Sequence, residues 1–227
     1  MLTETITFPS GSAQLQAYVA RPDGSGPFPA LVLIHEVYGL NEDMQRVARL
    51  YAEQGYAAMA VNLYYGRNQL LCMMRYFVSM FANALKHSGI LDLHAALDWL
   101  AAQPYVDGQR LGAAGFCMGG AFVVAWACTD KRLRVIAPYY GAANPPAEAL
   151  ARSCPVVGSW PDPDFSTRAG KQLDAMLDIY NIKHEIKIYP GATHSFFNGR
   201  LAENPTNTAA AEDSLQRTLA FFKAHGL

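Results

Sequence analysis

Cys117 stands in the stretch GFCMGG, with Gly115 two residues before it and Gly119 two residues after. The apolar run RLGAAGF precedes it and MGGAFVVAWAC follows. This matches the Gly-x-nucleophile-x-Gly turn in which a strand hands a nucleophile to a helix, with cysteine in the place of serine. The glycines have a physical reason there. The nucleophile's backbone takes an unfavourable conformation, and flanking side chains would crowd the adjoining strand and helix. The positive end of the following helix would favour the thiolate. The plainer account, a small hydrophobe buried in a tight turn, suits Cys72, Cys128 and Cys154, which lie in apolar surroundings without Cys-x-x-Cys or zinc-type spacing.

A cysteine nucleophile needs a base, and the base needs a group to orient it. Of the six histidines, His194 follows IKIYPGAT, where Pro190 and Gly191 break a strand, so it sits in the loop at that strand's carboxyl end. His35 closes ALVLIHE at the same edge but belongs to a different loop, while His87, His94, His184 and His225 read as surface or helix-face residues. Asp162 and Asp164 follow CPVVGSW, and the order Cys117, acid, His194 is the order such a fold requires. An aspartate in a proline-rich loop can equally be a turn former, a description that suits Asp162 between its two prolines. Glu36 ends a buried apolar run, which is costly unless the carboxylate is paired. Either backbone amides satisfy it, or it lies beside the thiol and exchanges protons with it. The loop EVYGLN would also supply the second oxyanion donor, so the backbone N–H groups of Val37 and Met118 would face a developing oxyanion.

These groups need a frame that brings strand ends together. The chain has 227 residues, 51% hydrophobic and 16% charged, enough for one domain with a substantial core. TITFP and LQAYVARP read as a hairpin turned at SGS. ALVLIHE, AAMAVNL, RLGAAGF, LRVIAPYY, CPVVGSW and HEIKIYP read as buried strands. Between them come helical segments: NEDMQRVARLYAEQGY capped by Asn41, NQLLCMMRYFVSMFANALK, GILDLHAALDWLAAQ, the all-apolar MGGAFVVAWAC, STRAGKQLDAMLDIYN and TNTAAAEDSLQRTLAFFKAH. Alternation of this kind predicts an α/β fold, with about eight strands in a mostly parallel sheet flanked by helices. Its sites would lie at the carboxyl ends of the strands. A formal net charge of −1 without a basic run argues against nucleic acid and anionic membrane as partners. No run approaches a membrane span or a signal peptide, so a reducing cytoplasmic setting is the expectation.

The chain resembles the dienelactone hydrolase family of α/β-hydrolases nearly end to end, through LVLIHEVYGLNEDMQRVARLYAEQGYAAMAVNLYYGR, GFCMGG, PVVGSWPDPDF and IYPGATHSFFN. The resemblance implies a triad of Cys117, Asp164 and His194, with Asp164 preferred to Asp162 by its spacing and by Phe165 after it. It implies that substrate binding displaces Glu36 so that it takes the thiol proton, and that a thiolate–imidazolium pair attacks the ester carbonyl. No metal or cofactor is implied. The chain departs from the family at the substrate carboxylate. The position four beyond the histidine, an arginine in the dienelactone-cleaving members, is Asn198, and the nearest arginine is Arg200. Arg67 and Arg75 are the candidates for a second. Asn62 stands where a strand often ends in aspartate. Tyr38, Tyr64, Tyr76, Phe196 and Phe197 suggest an aromatic pocket. The expectation is a monomer or small homo-oligomer that cleaves a small ester, lactone or thioester through an acyl-enzyme. A general carboxylesterase without dienelactone activity is the alternative within that class. A binding protein on an inactive scaffold and a redox-active thiol protein are the alternatives outside it.

Overall fold

The computed structural model describes residues 1–199 and 204–227. Its eight-stranded sheet runs in the order β1-β2-β4-β3-β5-β6-β7-β8. The strands are β1 (Leu2–Ser10), β2 (Ala13–Arg21), β3 (Phe28–Ile34), β4 (Ala57–Asn62), β5 (Val106–Phe116), β6 (Leu133–Tyr139), β7 (Val156–Asp162) and β8 (His184–Pro190). β1 pairs antiparallel with β2, and β2 antiparallel with β4; every other pairing is parallel. The predicted hairpin is present, with Ser10 opposite Ala13 and Gly11 at φ +57° in the turn. The central strands are apolar on both faces because both faces are covered, and Leu31, Val32, Leu33 and Ile34 of β3 are all fully buried.

The helices are α1 (Glu42–Glu53), α2 (Gln69–Ala82), α3 (Ser88–Ala101), α4 (Met118–Ala127), the short α5 (Ala147–Leu150), α6 (Thr167–Ile179) and α7 (Pro205–Ala224). The predicted cap of α1 is present: Asn41 Oδ1 accepts from Met44 N–H at 3.0 Å. The Tyr51 ring of α1 stacks on Phe222 of α7, so these helices share a face of the sheet. α3 lies on the opposite face. Phe8 meets Trp99 of α3, whereas Tyr18 meets Arg49 of α1. Phe8 pairs with Leu15, three residues from Tyr18 in an alternating strand, so the two rings point to opposite sides.

Two details differ from the sequence expectation. β7 runs two residues past Trp160, so Asp162 ends the strand and Asp164 alone belongs to the loop proper. His87 is buried, because its Nδ1 accepts from Gly89 N–H at 3.1 Å and caps α3; burial pushes its pKa down to about 4, against the opposing pull of Asp92.

Because β3 and β5 to β8 run parallel, the segments leaving them converge on one edge. That edge collects His35–Glu36–Val37, Cys117, Tyr140, Asp164 and His194.

Candidate active site

Cys117 occupies the turn between β5 and α4 with φ +54° and ψ −113°, a conformation rare for a residue bearing a side chain. Backbone contact locks it there. A Cβ on Gly115 would lie 2.0 Å from the Gly119 carbonyl oxygen, and one on Gly119 would lie 2.3 Å from that of Ile34. Only glycine allows β5, α4 and the end of β3 to approach this closely. Cys117 N–H donates to Tyr139 O at 3.0 Å, which ties the turn to β6 as well.

The thiol is half-buried, and the backbone N–H groups of Met118 and Val37 both bear on its sulfur. Burial pushes its pKa up to about 11, the carboxylates of Glu36 and Asp164 push the same way, and the two N–H groups only partly oppose them. The Met118 N–H at the start of α4 does favour the thiolate, as expected of a helix end, but it is the weaker influence here. Desolvation outweighs the α4 N-terminus and pushes the thiol toward its neutral form.

Glu36 is buried, and its Oε1 has no hydrogen-bond partner, so backbone amides do not satisfy it. Burial first, and then the charge of the nearby Glu36 carboxylate, push the Tyr140 hydroxyl's pKa well above its ordinary value. His35 serves the backbone. Its Nε2 accepts from Leu63 N–H at 3.1 Å, so Nδ1 carries the proton and donates to Glu36 O at 2.5 Å. Burial pushes the pKa of His35 down to about 4, which keeps it neutral while it clamps the β3 loop to the end of β4.

Asp164 and His194 meet as predicted by the resemblance. His194 Nδ1 donates to Asp164 Oδ1 at 3.0 Å. The same oxygen accepts from Ser166 N–H at 2.8 Å and from the Ser166 hydroxyl. Burial works against the charged carboxyl, yet the Ser166 and His194 hydrogen bonds outweigh it and hold Asp164 below the usual carboxylate range. His194 Nε2 is buried and bonded to nothing, the thiol included. Gly191 N–H donates to Asp162 O at 2.7 Å, joining the loops that carry the acid and the imidazole. Sequence reasoning missed the outer supports. Asn207 of α7 accepts from Thr193 N–H and donates to Thr193 Oγ1, each at 2.9 Å. Arg46 of α1, paired with Asp43, donates to Phe197 O at 2.8 Å. An asparagine in the first turn of the last helix and an i,i+3 Asp–Arg pair are ordinary surface patterns, so neither gave a signal.

The other expected binding residues separate. Tyr64 lies at the site: burial raises its hydroxyl pKa, with the Cys117 thiol among the lesser causes, and it contacts Met118 Sδ at 3.6 Å. Tyr38 is exposed beside the Glu36–Val37 turn. Phe196 and Phe197 instead belong to the core. Phe196 packs on Tyr140 and Tyr189, and Phe197 packs between Phe116 and Tyr139. Asn198 is buried, with its N–H on Ser195 O. Arg67 forms a bidentate pair with Asp92 of α3, reinforced by Leu63 O, so its guanidinium is already engaged. Arg75 lines a groove on the outward side of α2. Arg200 lies outside the described residues. Phe165, missed as a contact, lies tilted against His194 with ring centroids 4.4 Å apart, and is 71% exposed. Among the described residues no group of three or more His, Cys, Asp and Glu side chains could hold a metal ion, and no helix is long and apolar enough to cross a membrane.

A thiol at a glycine-locked strand-to-helix turn, on the carboxyl edge of this sheet order, defines an α/β-hydrolase. Comparison with known proteins narrows the class. The Dienelactone hydrolase family matches residues 15–226, and the chain belongs to that family and is a hydrolase. A provisionally named carboxymethylenebutenolidase of Yersinia pestis is 30% identical over 97% of this chain and 88% of its own. A protein of the same provisional name from Escherichia coli K12 is 29% identical over 97% and 86%. Among solved structures, a provisionally named dienelactone hydrolase from Klebsiella pneumoniae superposes with TM-score 0.82 at 25% identity, covering 98% of each chain. The dienelactone hydrolase-like promiscuous phosphotriesterase P91, from metagenomic libraries, shares the fold with TM-score 0.86 at 23% identity, covering 99% of this chain and 98% of that one.

Proposed function

We propose that the protein cleaves small ester or lactone substrates through Cys117, His194 and Asp164, by way of an acyl-enzyme. One observation carries this reading: the thiol is held in a strained, glycine-locked strand-to-helix turn while, on the same edge, an imidazole is held at Nδ1 by Asp164 and left without a partner at Nε2. Substrate entry moves the thiol proton to Glu36 and on to His194 Nε2. The thiolate forms a C–S bond to the carbonyl carbon, and the carbonyl electron pair moves onto oxygen, between Val37 N–H and Met118 N–H. The C–O bond then breaks, and His194 gives its proton to the departing oxygen. Water, deprotonated by Nε2, attacks the thioester; the acid leaves, and the sulfur regains a proton. The engagement of Arg67 by Asp92 supports a general small carboxylester or thioester over a substrate anchored at that arginine by its own carboxylate. The reading suits a reducing compartment such as the cytoplasm, where the four cysteines, all free, stay reduced.

The test compares turnover of p-nitrophenyl acetate and of a dienelactone by the wild type and Cys117→Ala, with intact-mass detection of an acyl adduct. Loss of both turnover and adduct in the variant is expected. Unchanged turnover in Cys117→Ala would overturn the mechanism. A dienelactone preferred over the acetate by orders of magnitude would reverse the substrate assignment.

A further inference from the structure

We propose that Phe165 is a specificity-determining residue for the leaving group, and that it favours esters whose alcohol part carries a flat apolar ring. The inference rests on the function proposed above and names a substrate class for it. Phe165 stands between Asp164 and Ser166 in the loop after β7. Its backbone is braced on both sides. Asp164 N–H donates to Thr167 Oγ1 at 3.0 Å, and the Thr167 hydroxyl donates to Pro161 O at 2.7 Å. Ser166 N–H donates to Asp164 Oδ1 at 2.8 Å, and Thr167 N–H to Asp164 O at 3.2 Å. None of these bonds uses the Phe165 side chain, so the turn closes without it. The ring is nonetheless 71% exposed, a large apolar group held in water beside the candidate base. A fixed aromatic of this kind gains most when a ligand covers it.

The neighbour of the ring says which part of a substrate covers it. Among the described residues two aromatic rings meet the imidazole of His194. The Tyr140 centroid lies 5.1 Å away, and the Phe165 centroid 4.4 Å away with the planes 30° apart. Tyr140 is buried, so of the two only Phe165 offers open surface to an incoming molecule. In acylation His194 gives a proton from Nε2 to the departing oxygen, which must come within hydrogen-bond reach of that nitrogen. The group bonded to the oxygen then lies beside the imidazole, where Phe165 stands. The acyl group is bonded to the Cys117 sulfur at that moment and stays with the elbow. A flat apolar group on the alcohol side can therefore stack on Phe165, whereas a small alkoxide leaves the ring bare.

The experiment measures kcat/KM on the full chain for ethyl acetate, benzyl acetate and ethyl phenylacetate, with the wild type, Phe165→Ala and Phe165→Tyr. The two acetates form the same acyl-enzyme and release alkoxides of similar basicity, so their ratio reads the alcohol part alone. Ethyl phenylacetate carries its ring on the acyl side instead. The wild type should prefer benzyl acetate to ethyl acetate, and Phe165→Ala should lower that preference about tenfold. Phe165→Tyr keeps the ring and should hold the preference within about threefold of wild type. The rate on ethyl phenylacetate relative to ethyl acetate should move less than about twofold in Phe165→Ala. An unchanged benzyl preference in Phe165→Ala would overturn the proposal. That includes an equal slowing of all three esters, which would mean that the ring only steadies His194. A loss confined to ethyl phenylacetate would overturn it too, because Phe165 would then face the acyl part. If Cys117→Ala hydrolyses these esters as fast as wild type, the proposed function fails first; if Cys117→Ala is inactive and Phe165→Ala keeps the benzyl preference, only the role of Phe165 fails.

Discussion

The elbow and α2 are both apolar runs, and the molecule uses them in opposite ways. Every residue of α4 from Met118 to Ala127 is buried, and the turn before it is held by backbone against backbone. α2 buries Cys72, Tyr76 and Met80 but turns Leu70, Leu71, Met74 and Val78 outward, with Leu71 59% and Val78 68% exposed. Leu71, Met74, Arg75 and Val78 line a groove of about 580 Å³ there. At its start α2 reaches the site through the loop after β3, where Gln69 Nε2 donates to Val37 O at 3.2 Å. The contrast separates two uses of hydrophobic sequence. In the elbow, close packing removes freedom, and a single methylene has nowhere to go. On α2 the outer residues make few contacts, so side chains there can change at little cost to the fold.

Several measurements would break or sharpen that contrast. The largest effect is expected from Cys117→Ala, which should lower ester turnover about a thousandfold or more while the thermal midpoint stays near that of wild type. Gly119→Ala should come next, because its Cβ would meet the Ile34 carbonyl oxygen at 2.3 Å. A destabilisation of about 3 kcal/mol or more is expected in chemical denaturation, or failure to accumulate folded protein. An ordinary surface-like cost of about 0.5 kcal/mol would show that the elbow is not locked.

Titration of the thiol gives a smaller effect of definite sign. Burial and then Glu36 push Cys117 up to about 11, so iodoacetamide labelling should climb about tenfold per pH unit from 7 to 9 without a plateau. Glu36→Gln removes a negative charge that opposes thiolate formation. Labelling at pH 8 should therefore speed up several-fold in the free enzyme even as turnover falls. A plateau below pH 8 in the wild type would mean that the thiolate is already formed at rest. The smallest effect is expected on α2: Val78→Ser should change stability by about 0.5 kcal/mol or less and turnover by less than about twofold.

Much of the frame was legible because it rests on local pattern. The continuous apolar runs of β3 to β7 and the Asn41 cap each announce themselves within a few residues. The Gly-x-Cys-x-Gly turn is equally local, and the structure brings Cys117, Glu36, Val37, Met118, Asp164 and His194 to one edge. The remainder depends on partners far apart in the chain. His35 looks like a spare base until its two nitrogens are found on Leu63 N–H and Glu36 O. Arg67 looks like an anion anchor until Asp92, 25 residues later, is found across from it. Phe196 and Phe197 share the composition of a pocket wall and of a core, and only packing distinguishes the two. After β6 the left-handed residue is Tyr140 and not the glycine beside it, so tertiary contacts, not residue type, impose the conformation.

The sheet order also has a consequence for how the protein is made. Thiol, donors and Glu36 all come from residues before β6, whereas acid and imidazole arrive with β7 and β8, the last two strands of the chain. A nascent or truncated chain thus carries the sulfur before it carries anything able to accept its proton through Nε2. The bond between Gly191 and Asp162 forms only when the last strand docks. The pairing of Asp164 with His194 is in this way completed only with the last strand of the sheet.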